Sequence, residues 1–290
     1  MTTAPMTGPV TSPPRPPALR MTPGRWATLA IGVPIALVLI GWSAFSLVAD
    51  LGRASFPVST TIPVQNGRVV ASTGGGDITV HQGRVSDGTA RLTGRVEYSL
   101  VRPTFTVTAS GISLHCRLPT GNCGLNATLD VPSHTAVDLT TGGGNMQVSG
   151  IQDNVTLDSG GGDAGISRIG GAVDVQTGGG NLTASNLGSV LALTTGGGDV
   201  DGSGLFSRHV TLGSGGGDVT LVFTAVPDYV KVDSSGGDIT IVVPHGEAGY
   251  AIKSNADGGD YHGSVPVNDA SRHTIQVDSG GGDISIAEPS

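Results

Sequence analysis

The chain has 290 residues, enough for one large domain or two modest ones, and 48 of them are glycine. No Gly-X-Y period runs through it, which excludes collagen. With aromatic residues at 4% and charged residues at 13%, it also lacks the Leu, Glu and Lys that a helical bundle needs. From Asp50 onward it carries 12 basic and 23 acidic side chains, a balance of −11, so a phosphate backbone is repelled and no nucleic-acid partner is expected.

Residues 1–25 hold seven prolines and no Asp or Glu, and read as a disordered tail. From Trp26 to Ala49 runs a 24-residue stretch without a charge, long enough for one transmembrane helix. A cleaved signal peptide has a shorter apolar core of about 7–15 residues, so the length favours a retained anchor. Arg15, Arg20 and Arg25 precede the stretch, whereas Arg53 follows it closely beside Asp50. The positive-inside rule then puts residues 1–25 in the cytoplasm and 50–290 outside, as a single-pass protein of the cell membrane. Residues 50–61 read as a linker and 62–288 as the domain.

That domain is repetitive. A Ser or Thr followed by Gly-Gly-Gly and then Asp or Asn occurs at 73–77, 141–145, 159–163, 177–181, 195–199, 214–218 and 279–283, with degenerate copies ending at Asp238 and Asp260. From Asn145 the terminal residues are spaced 18, 18, 18, 19, 20, 22 and 23 apart, which marks stacked supersecondary units. Eight and six residues before the Asp or Asn stand apolar pairs such as Val155 and Leu157, and Ser254 is the one exception at the second position. One and three residues after it stand pairs such as Ile239 and Ile241. This is period-2 alternation on both sides of a corner, so each unit is two short strands that only stacking can bury. The reading is an all-β fold, a single-chain β-solenoid of stacked rungs of roughly 18–23 residues with Gly-Gly-Gly-Asp corners, preceded by one transmembrane helix. The glycines are expected to serve positive φ and close approach of stacked backbones. The segment 62–136 breaks the period and reads as an irregular N-terminal cap, with regular rungs from 137 to 288.

The run LDVPSHTAVDLTTGGGN at 129–145, then VTLDSGGGD at 155–163, YVKVDSSGGDITIVVPHG at 229–246 and TIQVDSGGGDISI at 274–286, resembles the bacterial "toast-rack" family of adhesin-like β-strand repeat proteins. The likeness covers about residues 62–286. It implies an envelope protein, often membrane-tethered, that serves as an adhesin or as a sensor in envelope-stress systems, and it supplies no catalytic residues. The primary expectation is therefore a non-enzymatic surface adhesin or scaffold that meets an envelope protein or a wall polymer. An envelope-stress sensor and a polysaccharide-active enzyme are the alternatives.

The corner residues Asp77, Asn145, Asp163, Asn181, Asp199, Asp218, Asp238, Asp260 and Asp283 form the candidate site. Stacked carboxylates repel, and calcium is one way to relieve that. The calcium-binding nonapeptide repeat, however, has half this period. The simpler reading is structural, each Asp or Asn accepting hydrogen bonds from the amides of its own turn, with no metal or cofactor. Cys116 and Cys123, seven apart across a turn-like Pro-Thr-Gly-Asn, suit a disulfide in an oxidising compartment. A redox switch, or a metal site with His115, is the sharper alternative, although two cysteines and one histidine make a poor zinc set. The seven histidines are scattered, and none pairs in sequence with a nucleophile.

Overall fold

The computed structural model describes residues 53–85, 88–108, 111–116 and 123–289. The tail at 1–25 and the span expected at 26–49 lie outside the described residues. The chain divides into two units, Met1–Leu51 and Gly52–Ser290, and every described strand belongs to the second. Among the described residues every regular element is a strand, and no helix is long and apolar enough to cross a membrane.

At the N-terminal side run β1 (Arg53–Pro63), β2 (Arg68–Thr73), β3 (Ile78–Gln82), β4 (Thr89–Ser99), β5 (Thr104–Val107), β6 (Gly111–His115) and β7 (Cys123–Val131). Six pairs follow, each split by a glycine corner. They are β8 (Ala136–Thr141) with β9 (Met146–Ser149), β10 (Val155–Ser159) with β11 (Ala164–Ser167), and β12 (Val173–Thr177) with β13 (Leu182–Ser185). Next come β14 (Leu191–Thr195) with β15 (Val200–Leu205), β16 (His209–Ser214) with β17 (Val219–Phe223), and β18 (Tyr229–Ser234) with β19 (Ile239–Val242). The chain closes with β20 (Ala251–Ala256), β21 (Tyr261–Gly263), β22 (Thr274–Ser279) and β23 (Ile284–Ala287).

The first strand of each pair joins an 11-stranded sheet and the second a 12-stranded one, giving a solenoid-like stack of two sheets. Through the middle both sheets are parallel and in register, with Val155 between Val137 and Val173, and Ala164 between Met146 and Leu182. The alternation seen in the sequence now has its cause. Val155, Leu157, Ala164 and Ile166 are each 2% exposed or less, and their counterparts in the rungs above and below are equally buried. Burying such a Val or Leu side chain stabilises by about 1.5–3 kcal/mol, which one isolated rung could not achieve.

A third apolar column, Ile151, Ile169 and Leu187, closes the side where the chain returns from one rung to the next. There the backbone passes through the left-handed region, just after the strand at Gly150 (φ 71°), Arg168 (φ 54°) and Asn186 (φ 54°) and within the irregular end of β15 at Gly204 (φ 62°), which are equivalent positions in successive rungs. Glycine and asparagine accept this conformation readily, whereas Arg168 does so against its preference.

The ends depart from chain order. At the N-terminal end β2 and β3 form a regular rung directly against β8 and β9, and β6 and β7 add a further parallel rung on its outer side. Most of the segment read as an irregular cap at 62–136 is therefore built into the stack. From Arg53 on, the stretch expected to be a linker is likewise structured, because β1 pairs antiparallel with β4 from Arg53↔Ser99 to Pro63↔Thr89, and β4 with β7. At the C-terminal end β22 and β23 insert between the β18–β19 rung and the β20–β21 rung. The degenerate copy ending at Asp260 is thus the last rung, which explains why Ser254 is exposed where its counterparts are core: among the described residues no rung lies beyond it. The stack holds ten rungs among the described residues, about 43 Å from first to last at the usual strand spacing.

Candidate functional site

Most corners are built by a Ser or Thr hydroxyl that precedes the glycines. Thr141, Ser159, Thr177, Thr195 and Ser279 are buried, and each accepts the N–H of its third glycine at 2.9–3.2 Å. The third glycine is required by the neighbouring rung. A Cβ at Gly144, Gly162, Gly180 or Gly198 would lie only 1.7–2.2 Å from the carbonyl oxygen of the equivalent glycine below. By contrast, a Cβ at the middle glycines Gly143, Gly161, Gly179 and Gly197 would meet nothing within 4 Å. Among the corner glycines, positive φ occurs only at Gly76, Gly217 and Gly237, so close approach is the general reason and backbone handedness a local one.

The Asp and Asn residues do not cap their own turns as expected. Their Oδ1 atoms reach across to the next rung, where each accepts the backbone N–H of the following Asp or Asn. Asp77 accepts from Asn145 at 2.9 Å, Asn145 from Asp163 at 2.9 Å, Asp163 from Asn181 at 2.8 Å and Asn181 from Asp199 at 2.9 Å. The series continues through Asp218, Asp238 and Asp283, and ends at Asp260, whose N–H reaches Asp283 at 2.8 Å. At the other end Asn126 accepts from Asp77 at 2.8 Å, which makes it the first member. The local sequence carried a signal for Asn126, since Ala127 and Leu129 stand one and three residues after it. A Cys-Gly-Leu corner in place of the glycine triplet hid it. The acceptor requirement explains why only Asp or Asn occupies the position: both place an oxygen at the same short reach.

In spatial order the ladder reads Asn126, Asp77, Asn145, Asp163, Asn181, Asp199, Asp218, Asp238, Asp283, Asp260. Amide and carboxylate alternate in the first half, and the second half ends in five aspartates in succession. Every member is exposed, so one edge of the stack is a row of charge. Neighbouring carboxylates about 5 Å apart repel by about 0.8 kcal/mol in a water-like dielectric.

Cys116 and Cys123 form a disulfide with Cα atoms 6.0 Å apart, closing the corner of the β6–β7 rung where other rungs carry glycines. A Cβ on the facing Gly74 would lie 2.8 Å from the Cys116 sulfur. Beside this corner lies an open hollow of about 640 Å³, lined by Arg53, Ser55, Glu97, Tyr98 and Asn126 among others. A smaller one of about 270 Å³ near the C-terminal end gathers Asp233, Asp257 and Asp278 at its rim. Two of these are engaged within their own strands, Asp233 by Lys231 at 2.5 Å and Asp278 by Gln276 at 3.3 Å. No group of three or more His, Cys, Asp or Glu among the described residues could hold a metal ion. The histidines are dispersed: His81 meets Asp130, His245 meets Glu288, and buried His273 lies 2.9 Å from the Pro227 carbonyl. Of the aromatic residues, Phe223 and Tyr250 are core, and the exposed Phe206 and Tyr261 sit four rungs apart, about 19 Å along the stack.

The sequence profile of the Toastrack DUF4097 family matches residues 58–287, the two-sheet stack apart from the start of β1. This chain belongs to the Toastrack family. Among solved structures, a "putative adhesin" from Bacteroides fragilis is similar to this Toastrack chain, with 15% identity and a TM-score of 0.49 over 80% of this chain and 97% of that one. Another protein of the same description, from Parabacteroides distasonis, shows 12% identity and a TM-score of 0.47 over 81% and 97% of the two chains. No curated protein matches the sequence.

Proposed function

We propose that this Toastrack protein is a membrane-tethered, non-enzymatic rod of the cell envelope that displays acidic columns to basic surface partners or wall polymers. The observation that carries this reading is the ladder. Side-chain chemistry that could have formed an isolated site is instead repeated rung after rung, tying the corners together and leaving a row of carboxylate on one edge. A repeated charged column suits a repetitive or extended partner better than a small substrate. The 24-residue uncharged segment at 26–49 supplies the tether in this reading, with residues 1–25 in the cytoplasm and the stack outside.

The test is photo-cross-linking in cells expressing the full-length protein, with the reactive residue placed along the ladder edge. Recovery of wall polymer or surface proteins supports the display reading. Recovery of cytoplasmic proteins alone overturns it. Recovery of a membrane-embedded kinase or regulator replaces it with a sensing role. The non-enzymatic part is tested separately, by incubating the protein with a panel of envelope glycans and looking for released fragments.

A further inference from the structure

We propose that the β4–β5 turn, Leu100-Val101-Arg102, rests on the outer face of the bilayer against anionic lipid headgroups, and so sets how the rod stands on the membrane. This rests on the anchored reading above, and three independent observations lead to it.

The first is exposure. Leu100 and Val101 are 42% and 38% exposed, neighbouring apolar residues at the tip of a turn in a molecule whose inward-facing aliphatic side chains are almost fully buried. Leu100 is held at φ 64°, a left-handed conformation that leucine disfavours and that glycine or asparagine would take without strain. The turn is closed by the Val101 N–H donating to the Ser99 carbonyl at 2.7 Å. A strained position that carries a large exposed apolar side chain points to a use for that side chain.

The second is place. Ser99, the last residue of β4, pairs with Arg53, the first residue of β1, so the turn lies where the chain enters the stack. Only residues 50–52 separate Arg53 from the end of the uncharged segment at Ala49. Those four Cα steps span at most about 15 Å, and the headgroup region on each side of a bilayer is itself several ångströms deep. The entry point therefore cannot stand far from the membrane surface if the segment spans it.

The third is charge. Residues 50–117 carry seven basic and four acidic side chains, whereas residues 118–290 carry five basic and 19 acidic. Within residues 50–290 the acidic excess thus lies entirely after residue 117, and the part that follows the uncharged segment is basic on balance. Arg102 is exposed and held over the Phe56 ring at 4.4 Å, with Phe56 in turn packed edge-on against Tyr98 at 6.1 Å. An arginine braced on an aromatic platform beside exposed aliphatic residues has the chemistry of an interfacial contact with anionic headgroups. The carboxylate-rich remainder is repelled by the same surface, so both ends of the charge distribution favour one orientation.

The experiment uses the full-length protein in vesicles of phosphatidylcholine and phosphatidylglycerol. One variant carries an environment-sensitive fluorophore at Val101→Cys, and a control carries it at Val267→Cys, an exposed residue near the opposite end of the stack. The expected result is a blue-shifted emission at 101 that nitroxide-labelled lipids quench several-fold more than at 267. Arg102→Glu, or vesicles of phosphatidylcholine alone, should bring the two sites close together. Equal, weak quenching at both sites in protein that floats with the vesicles and resists alkaline extraction overturns this proposal and leaves the anchor standing. Protein that does not float overturns the anchored reading, and this proposal with it. A discrete protein adduct at 101 on photo-cross-linking in cells, in place of lipid, also overturns it by assigning the turn to a protein partner.

Discussion

Two alanine substitutions one residue apart test whether the corner glycines are dictated by the neighbouring rung. At Gly162 an added Cβ would lie 2.1 Å from the Gly144 oxygen and 2.4 Å from its carbonyl carbon, more than 1 Å inside an ordinary contact. The rungs must part locally, which stretches the Asp163-to-Asn145 ladder bond of 2.9 Å, or Gly162 must shift within its own corner, which disturbs its 2.9 Å bond to Ser159. Overpacking strain costs about 1–3 kcal/mol, and each weakened hydrogen bond about 0.5–1.5 kcal/mol. Gly162→Ala should therefore destabilise by about 2–4 kcal/mol, which lowers the melting temperature of a domain this size by roughly 5–15 °C. At Gly161 nothing lies within 4 Å and φ is not left-handed, so alanine meets no clash. It reduces the freedom of the unfolded chain instead, and Gly161→Ala should be neutral or stabilising by up to about 1 kcal/mol. Thermal unfolding of the purified full-length protein, followed by circular dichroism at a strand wavelength, gives both numbers. Equal melting temperatures for the two variants would refute the steric argument.

Three further outcomes follow from particular residues. Arg168→Gly relieves a left-handed backbone that costs a non-glycine residue about 1–2 kcal/mol, against about 0.5–1 kcal/mol for glycine's extra freedom when unfolded; a net gain of about 0.5–1 kcal/mol in chemical denaturation is expected, and a loss would show that the Arg168 side chain holds the turn. Asp218→Asn keeps the acceptor for Asp238 while removing one charge from the run of aspartates, so stability should rise by up to about 1 kcal/mol at low salt and the gain should fade near 1 M salt. Asp218→Ala loses the acceptor and should be destabilising at any salt concentration, so a matched response of the two variants would count against the ladder. Tyr250 is buried and donates to the Pro244 carbonyl at 2.6 Å; burial, with a smaller push from Glu288, raises its phenol from 10.0 to about 12. Because the fold favours the neutral phenol, its contribution is complete below pH 10 and is lost as pH rises through about 12. Denaturant midpoints for the protein and for Tyr250→Phe should diverge below pH 10 and converge above that window, and a constant difference would contradict the assignment.

The apolar alternation around each corner, and so the two faces of every rung, could be read from the residues alone. Strand periodicity is local: Val155 and Leu157 must point the same way whatever they pair with. The corner positions were equally visible, because Gly-Gly-Gly followed by Asp or Asn has a fixed spacing from those pairs. Which amide each Asp or Asn serves was not visible. An Oδ1 can cap its own turn or the next one with the same side chain, and only the strand spacing of the assembled stack selects the neighbour. Asn126 was missed for a related reason, since its corner has a disulfide where the pattern has glycines.

What the sequence determined by itself is that these residues form rungs, and which side of each rung is core. What the tertiary structure decided is their order. Rungs with the same alternation present interchangeable edges, so nothing local prevents β6 and β7 from stacking outside β2 and β3, or β22 and β23 from entering before β20 and β21. The choice falls to long-range pairing, which places complete apolar faces in the interior and leaves the rung with Ser254 in its core column at the end, where that column meets water.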